Sequence, residues 1–235
     1  MQIKGSVALV TGANRGLGKA FVQALLTAGA AKVYAAARDP ATIDAHPNVI
    51  PIRLDVTRPE DIAAAVAQAP DLTLLINNAG VSGMEGQERG NISLETLRHE
   101  FEINAIAPLA TSQAFSPILA ANGGGAIVNM HSALSWVNLP GTVTYSASKA
   151  AAWSLTNGLR LHLAAQGTLV VGVHVAFVDT DMTRGIEGVP KASPHDVVQR
   201  VLEGLINDQP EVLADDTSHH LKQNLSNGVY LRPIS

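Results

Sequence analysis

The stretch Ser6-Val-Ala-Leu-Val-Thr11, running directly into Gly12-Ala-Asn-Arg-Gly-Leu-Gly18, decides the fold. Its first half is a short apolar, β-branched run of the kind that forms a strand covered on both faces. Its second half carries three glycines where that strand must turn and open a helix. Gly12, Gly16 and Gly18 let the backbone turn sharply, approach an anion closely and pack a helix tightly on the sheet. The unpaired N–H groups of the new helix make a phosphate or pyrophosphate site. The spacing is G-x-x-x-G-x-G rather than G-x-G-x-x-G, so the strand-turn-helix context carries the reading.

Outward from that turn, strands are expected at Ser6 to Thr11, Lys32 to Ala37, Val49 to Leu54, Leu72 to Asn77, Gly125 to Met130, Thr168 to Ala176 and Glu211 to Leu213. Helices are expected from Gly18 to Ala28, Pro59 to Ala69, Leu94 to Ala121 with a break at Asn104 to Pro108, Thr144 to Ala165, and Pro194 to Asn207. Asp39-Pro40 and Ser193-Pro194 read as helix N-caps followed by proline, and Gly29 and Gly167 as helix stops. The alternation predicts an α/β fold with a parallel sheet wrapped by helices.

Composition bounds the rest. The 235 residues are 46% apolar with a formal charge of −4, enough for one well-buried core spanning residues 1–235. There is no cysteine, which excludes disulfides and thiolate ligands or nucleophiles. The first strand starts within six residues of Met1, so no targeting segment is expected and a cytoplasmic location fits. The apolar runs are too short to span a membrane, and no basic stripe suggests nucleic acid. His131 and His174 lack partners at metal-ligand spacing and read as packed imidazoles. His219-His220 with Asp215-Asp216 read as a solvated C-terminal segment, and no metal is expected.

Thr144-Tyr-Ser-Ala-Ser-Lys-Ala-Ala-Ala152 carries the candidate chemistry. Positions i and i+4 share a helix face, so the Lys149 ammonium is expected beside the Tyr145 phenol. Bringing a tyrosine from about 10 to near 7 takes about 4 kcal/mol. One cation about 4 Å away supplies about that much at an effective dielectric near 20. The pair therefore reads as a general acid/base at neutral pH. Taken singly, Ser132 reads as a strand-end cap, Tyr145 as a core aromatic, Lys149 as a solvated charge and Asn104 as a helix cap.

Together, the glycine turn, Asp55-Val56, Asn77-Asn-Ala-Gly80, Asn104, Ser132 and Tyr145-x-x-x-Lys149 resemble the short-chain dehydrogenase/reductase family over nearly the whole chain. The resemblance implies a doubly wound Rossmann sheet of seven parallel strands, order 3-2-1-4-5-6-7, with helices on both faces. It also implies hydride transfer between NADP(H) or NAD(H) and a ketone, aldehyde or secondary alcohol. In that scheme Tyr145 moves the proton, Ser132 orients the substrate oxygen, Lys149 assists Tyr145 and holds the nicotinamide ribose, and the Asn104 carbonyl holds a relay water. Imine or enone reduction, or nucleotide binding without turnover, are the alternative readings.

The implied cofactor contacts are Gly12, Asn14, Arg15, Gly16, Leu17 and Gly18 in the turn, then Arg38, Asp55, Val56, Asn78, Ala79, Gly80, Tyr145, Lys149, Val178 and Thr180. Asn77 is expected to tie neighbouring strands instead. Ala37 stands where NAD-preferring relatives place an acid, and Arg38 and Arg15 add cations suited to a 2′-phosphate, which favours NADP(H). Arg38 pairing with Asp39, or Asp39 bonding a ribose, is the competing reading. Ala176-Phe177 replaces the family's usual Pro-Gly, and Phe177 is expected to reshape the pocket.

Ser132, Leu134, Trp136, Val143, Phe177 and Met182 are expected to line a mainly apolar substrate pocket, under a covering loop at about 180–193. The resemblance and the apolar helices containing Asn104 and Tyr145 further imply a homodimer or homotetramer.

Overall fold

The computed structural model describes residues 1–83 and 92–231. The expected domain over 1–235 therefore includes two segments, 84–91 and 232–235, outside the described residues.

Seven strands form one parallel sheet in the order β3-β2-β1-β4-β5-β6-β7. They are β1 (Val7–Thr11), β2 (Lys32–Ala37), β3 (Val49–Arg53), β4 (Leu74–Asn77), β5 (Ala126–Met130), β6 (Leu169–His174) and β7 (Glu211–Leu213). The helices are α1 (Gly16–Thr27), α2 (Pro59–Gln68), α3 (Leu94–Phe101), α4 (Ala107–Ala121), α5 (Val143–Leu163), α6 (Pro194–Ile206) and α7 (Asp216–Gln223).

The strands read as continuous apolar runs because each face has its own core. Ala8, Val10, Leu74 and Ile76 pack on one face with Phe21 and Leu25 of α1 and Val197, Val201 and Leu205 of α6. Leu9 and Leu75, the intervening residues, pack on the other with Ile62 of α2, Phe115 and Leu119 of α4, and Leu159 of α5. Side chains alternate along a strand, so both sets must be apolar when both faces are covered.

Local signals hold at several ends. The Ser193 side chain accepts from the Asp196 N–H at 3.0 Å, with Pro194 at the first helical position. Asp39 caps a 3-10 turn, Pro40–Thr42, by accepting from Ala41 N–H. Gly29 and Gly167 have φ of 84° and 74°, which suits glycine at helix ends.

Two elements differ from the sequence expectation. The break at Asn104 is a single π turn, Glu102–Ile106, joining α3 to α4 without interrupting the rod. Pro108, four residues beyond Asn104, has no N–H to return to its carbonyl, which disfavours ordinary α-helical bonding there. The C-terminal segment also forms a helix, α7. Asp215 caps it by accepting from Ser218 N–H at 2.8 Å, while His219 and His220 are exposed.

Among the described residues, no helix is long and apolar enough to cross a membrane and no cluster of His, Asp and Glu could hold a metal ion.

Candidate active site

A cleft of about 800 Å³ runs along the carboxyl ends of the strands, from Arg38 and Asp55 at one end to Ser132 and Tyr145 at the other. Open α/β sheets bind ligands at this edge, where the connections on either side of β1 and β4 diverge.

The glycine turn forms the floor. Gly12 and Gly16 have φ of 63° and 51°, which favours residues without a Cβ. A Cβ on Gly18 would collide with the Gly12 carbonyl, so helix and turn pack at a separation only glycine allows. Gly18 is buried beneath the cleft rather than lining it, whereas Gly12, Asn14, Arg15, Gly16 and Leu17 line it. This cradle of missing side chains at a helix N-terminus fits a dinucleotide pyrophosphate.

The remaining expected cofactor residues, Arg38, Asp55, Val56, Asn78, Ala79, Gly80, Tyr145, Lys149, Val178 and Thr180, all line the cleft. Asp55 accepts from the Thr57 N–H and hydroxyl at 3.0 and 2.7 Å. The hydroxyl bond is the main reason its carboxyl is held below the usual range, with Arg38 also contributing. Arg38 is exposed and makes no ion pair among the described residues, and Arg15 reaches Asp181 at 3.8 Å. Asp39 uses an oxygen to cap Ala41.

The loop leaving β4 is clamped from the α3–α4 rod. Asn104 donates to the Val81 carbonyl and accepts from Val81 N–H, both at 2.9 Å, and also donates to Ser148 Oγ at 3.0 Å. Glu100, 1% exposed, accepts from Gly83 N–H at 2.7 Å. Asn104 is buried and supports the cleft wall rather than lining it. Asn77 donates to Asn129 Oδ1 at 2.8 Å and to Ser112 Oγ at 3.0 Å, tying β4 to β5 and α4.

At the other end, Ser132, Tyr145 and Lys149 face the cleft together. Lys149 donates to the Met130 carbonyl at 2.9 Å, and its Nζ lies 5.7 Å from the Tyr145 ring centroid. The net shift of the phenol is upward rather than the expected lowering toward 7. Burial pushes Tyr145 up to about 12, the Ser132 hydroxyl pulls it down, and the Glu100 carboxylate raises it further. Burial also pushes Lys149 down to about 8, which still leaves it mainly cationic at neutral pH.

Of the expected substrate residues, the structure brings only Ser132 and Met182 to the cleft. Leu134 and Trp136 join an apolar cluster with Leu221, against which Tyr145 and Ala176 pack from the cleft side, and Val143 is exposed at the start of α5. Phe177 is absent from the lining, where Val175, Ala176 and Val178 stand instead. These residues lie beyond the end of β6 at His174, where the chain leaves the regular strand before pairing Val178 with Ala192. The covering loop is tied at its base by pairing of Val178 with Ala192 and by Lys191 donating to the Thr183 carbonyl at 2.7 Å.

His99, Glu102 and Ile103 line the cleft without having been expected. Their i, i+3, i+4 spacing immediately before Asn104 marks one helix face and was a usable signal. Asp181 and Thr183, just beyond Thr180, also line the cleft.

Comparison with known proteins agrees with this geometry. The family model for short chain dehydrogenase matches residues 6–188. A crystal structure of a short chain dehydrogenase from Burkholderia cenocepacia in complex with NADP superposes with a TM-score of 0.94 at 40% identity, covering 100% of both chains. The 1-deoxy-11-beta-hydroxypentalenate dehydrogenase of Streptomyces exfoliatus is 32% identical over 89% of this chain and 82% of its own. The 3-oxoacyl-[acyl-carrier-protein] reductase of Vibrio cholerae is 28% identical over 90% of this chain and 88% of its own. The chain belongs to the short-chain dehydrogenase/reductase family and is an oxidoreductase of that type using a nicotinamide cofactor.

Proposed function

We propose that this protein is an NADP(H)-dependent carbonyl reductase or alcohol dehydrogenase acting on uncharged, mainly hydrophobic ketones, aldehydes or secondary alcohols. The observation that carries the reading is one cleft with Ser132, Tyr145 and Lys149 at one end and Arg15 and Arg38 at the other.

The bound nicotinamide would supply the hydride for reduction or accept it for oxidation. Gly12, Gly16 and the N-terminus of α1 would hold the pyrophosphate, and Asn78, Ala79 and Gly80 would lie along the adenosine half. Arg38 favours the 2′-phosphate because its guanidinium is exposed and makes no ion pair among the described residues. Asp39, the acid that would oppose it, is engaged in capping. The NADP complex of the Burkholderia cenocepacia relative supports the same preference.

At the reacting end, Tyr145 is neutral and so arrives as the acid, ready to give its phenolic proton to a carbonyl oxygen. The Ser132 hydroxyl donates to the same oxygen and orients it. Lys149, mainly cationic at neutral pH, holds ribose hydroxyls and favours the phenolate left after proton transfer. The Asn104 backbone carbonyl is assigned a water through which solvent, by way of Lys149, returns a proton to the phenolate. Val175, Ala176 and Met182 would give the substrate side apolar lining.

Assembly as a homodimer or homotetramer belongs to the same reading, supported by the exposed apolar side chains of Leu161 on α5 and Ile106 beside α4. Sedimentation velocity tests that part; a monomer at micromolar concentration removes it.

The deciding experiment is a panel of ketones, aldehydes, imines and enones offered with NADPH and NADH, followed at the nicotinamide absorbance. Turnover of hydrophobic ketones with NADPH is expected. Turnover confined to imines or enones, or tight NADPH binding without oxidation, would replace this reading.

A further inference from the structure

Behind Ser132, on the side away from the cleft, β6 and β7 enclose a set of polar side chains that the proposed chemistry does not use. His174, the last residue of β6, is completely shielded from solvent. Its Nδ1 lies 3.2 Å from the Ser132 backbone carbonyl. A carbonyl only accepts, so this is a hydrogen bond when Nδ1 carries the proton. Among the described residues its Nε2 has no hydrogen-bond partner, and it faces Glu211 Oε1 of β7 at 3.7 Å.

The surroundings favour that tautomer. Burial pushes His174 down to about 4, so the ring is neutral and has one N–H to give. A bare carboxylate beside the Nε2 lone pair would oppose this arrangement. Lys222 of α7 offsets it by pairing with both Glu211 oxygens, at 2.9 and 2.8 Å. Lys149 and Lys222 both act against protonation of the ring, and His131, with its centroid 5.1 Å away, is buried and held well below its ordinary pKa. Trp136 stacks on the imidazole with centroids 3.9 Å apart and planes 20° from parallel. Trp153 meets it edge-on at 6.3 Å. The ring is therefore fixed in both position and charge.

Ser132 has reason to need such a hold. Its neighbours continue the pairing with β6, His131 N–H to the Val173 carbonyl at 2.7 Å and Ala133 N–H to the Val175 carbonyl at 2.9 Å. The Ser132 carbonyl accepts Ser135 N–H at 2.9 Å from within its own turn. Among the described residues, His174 provides the side-chain bond from β6 to that carbonyl.

We propose that His174 is a positioning residue for Ser132. By donating Nδ1–H to the Ser132 carbonyl from a ring wedged against Trp136, it holds the serine so that its hydroxyl faces Tyr145, while Lys222, by pairing with Glu211, weakens the competing pull of that carboxylate on Nε2. The inference rests on the proposed catalytic role of Ser132.

Asparagine places an amide N–H near the histidine Nδ1 position, and glutamine reaches toward Nε2. With benzil, diacetyl or ethyl acetoacetate as the carbonyl and NADPH as donor, His174→Asn is expected to keep kcat within about threefold. His174→Gln should lower kcat about tenfold, the scale of one hydrogen bond. NADPH affinity, measured by fluorescence titration, should be unchanged in both variants. Equal kcat in the two variants, or loss of NADPH affinity in step with kcat, overturns the proposal in favour of a purely structural role.

NMR of isotope-labelled histidine ring nitrogens gives a check independent of turnover and of variant folding. A neutral Nδ1–H ring is expected at residue 174, and an Nε2–H ring or an imidazolium overturns the assignment. Ser132→Ala separates the two readings. Retained activity there, or no turnover of the three carbonyls by the unaltered protein, overturns the role of Ser132 and this inference with it. Loss in Ser132→Ala beside full activity in His174→Gln overturns the role of His174 alone.

Discussion

The Lys149 ammonium lies 5.7 Å from the centre of the Tyr145 ring and gives its hydrogen bond to the Met130 carbonyl. A shared helix face thus brings the two groups to the same cleft without pairing them directly. Burial decides the protonation states, raising the phenol to about 12 and lowering the ammonium to about 8. The protein in this state is prepared to donate a proton from Tyr145. Alcohol oxidation, which needs the phenolate, should increase with pH.

Tyr145→Phe removes the donor while keeping the ring. Turnover should fall by about a hundred- to ten-thousand-fold, the usual contribution of a positioned acid. NADPH titration by fluorescence should give nearly the original affinity. Full activity would remove Tyr145 from the mechanism.

Lys149→Met should abolish most turnover yet raise stability at neutral pH. Keeping a buried ammonium charged at a pKa of about 8 rather than 10.5 costs about 3 kcal/mol. Loss of the Met130 bond returns about 1–2 kcal/mol of that, leaving a net gain on the order of 1 kcal/mol. The folded pKa is below the unfolded one, so from about 8 to 10.5 the unfolded chain binds more protons and the unaltered protein gains stability as pH rises. The stability gap between variant and parent should therefore narrow through that window in denaturant titrations. Tyr145 acts in the opposite sense only above about 10, where its raised folded pKa makes stability fall with pH. A gap that widens between 8 and 10 would contradict the assignment for Lys149.

Arg38→Asp should move the kcat/KM ratio of NADPH to NADH toward NADH by tenfold or more, on the basis of about 1.5–3 kcal/mol for hydrogen bonds to a charged group. Arg15→Ala should have a smaller effect, because Arg15 is already within 3.8 Å of Asp181. An unchanged ratio in the Arg38 variant would leave cofactor preference to other residues.

Asn77→Leu tests the strand tie. Its amide donates to Asn129 and Ser112, and its Oδ1 accepts from Thr111 at 2.7 Å, all within a buried network. Removing it leaves several buried polar groups without their partner and should cost about 2–4 kcal/mol in equilibrium unfolding. A loss below about 0.5 kcal/mol would show that the network relaxes around the change.

Much of the fold was legible because its signals are local. The run from Lys32 to Ala37 and the short run from Glu211 to Leu213 match their strands end to end, and Ser193-Pro194 marks the start of α6. The helix α7 was harder to read because Asp216-Thr-Ser-His-His-Leu-Lys-Gln223 has one buried apolar side chain, Leu221, and no apolar stripe. Its usable signal was the cap from Asp215 to Ser218. The substrate side was least legible. Leu134, Trp136 and Phe177 look apolar and stand near Ser132 or Thr180 in the chain, yet turn geometry directs them away from the cleft lining.

The sequence by itself determined the alternation of strands and helices, the glycine floor and the sharing of one helix face by Tyr145 and Lys149, because each depends on residues a few positions apart. Only the tertiary structure decided that Asn104 clamps Val81, that Trp136 stacks on His174, and that Tyr145 is a protonated phenol with a raised pKa. Those outcomes depend on burial and on partners from distant strands, which spacing along the chain does not encode.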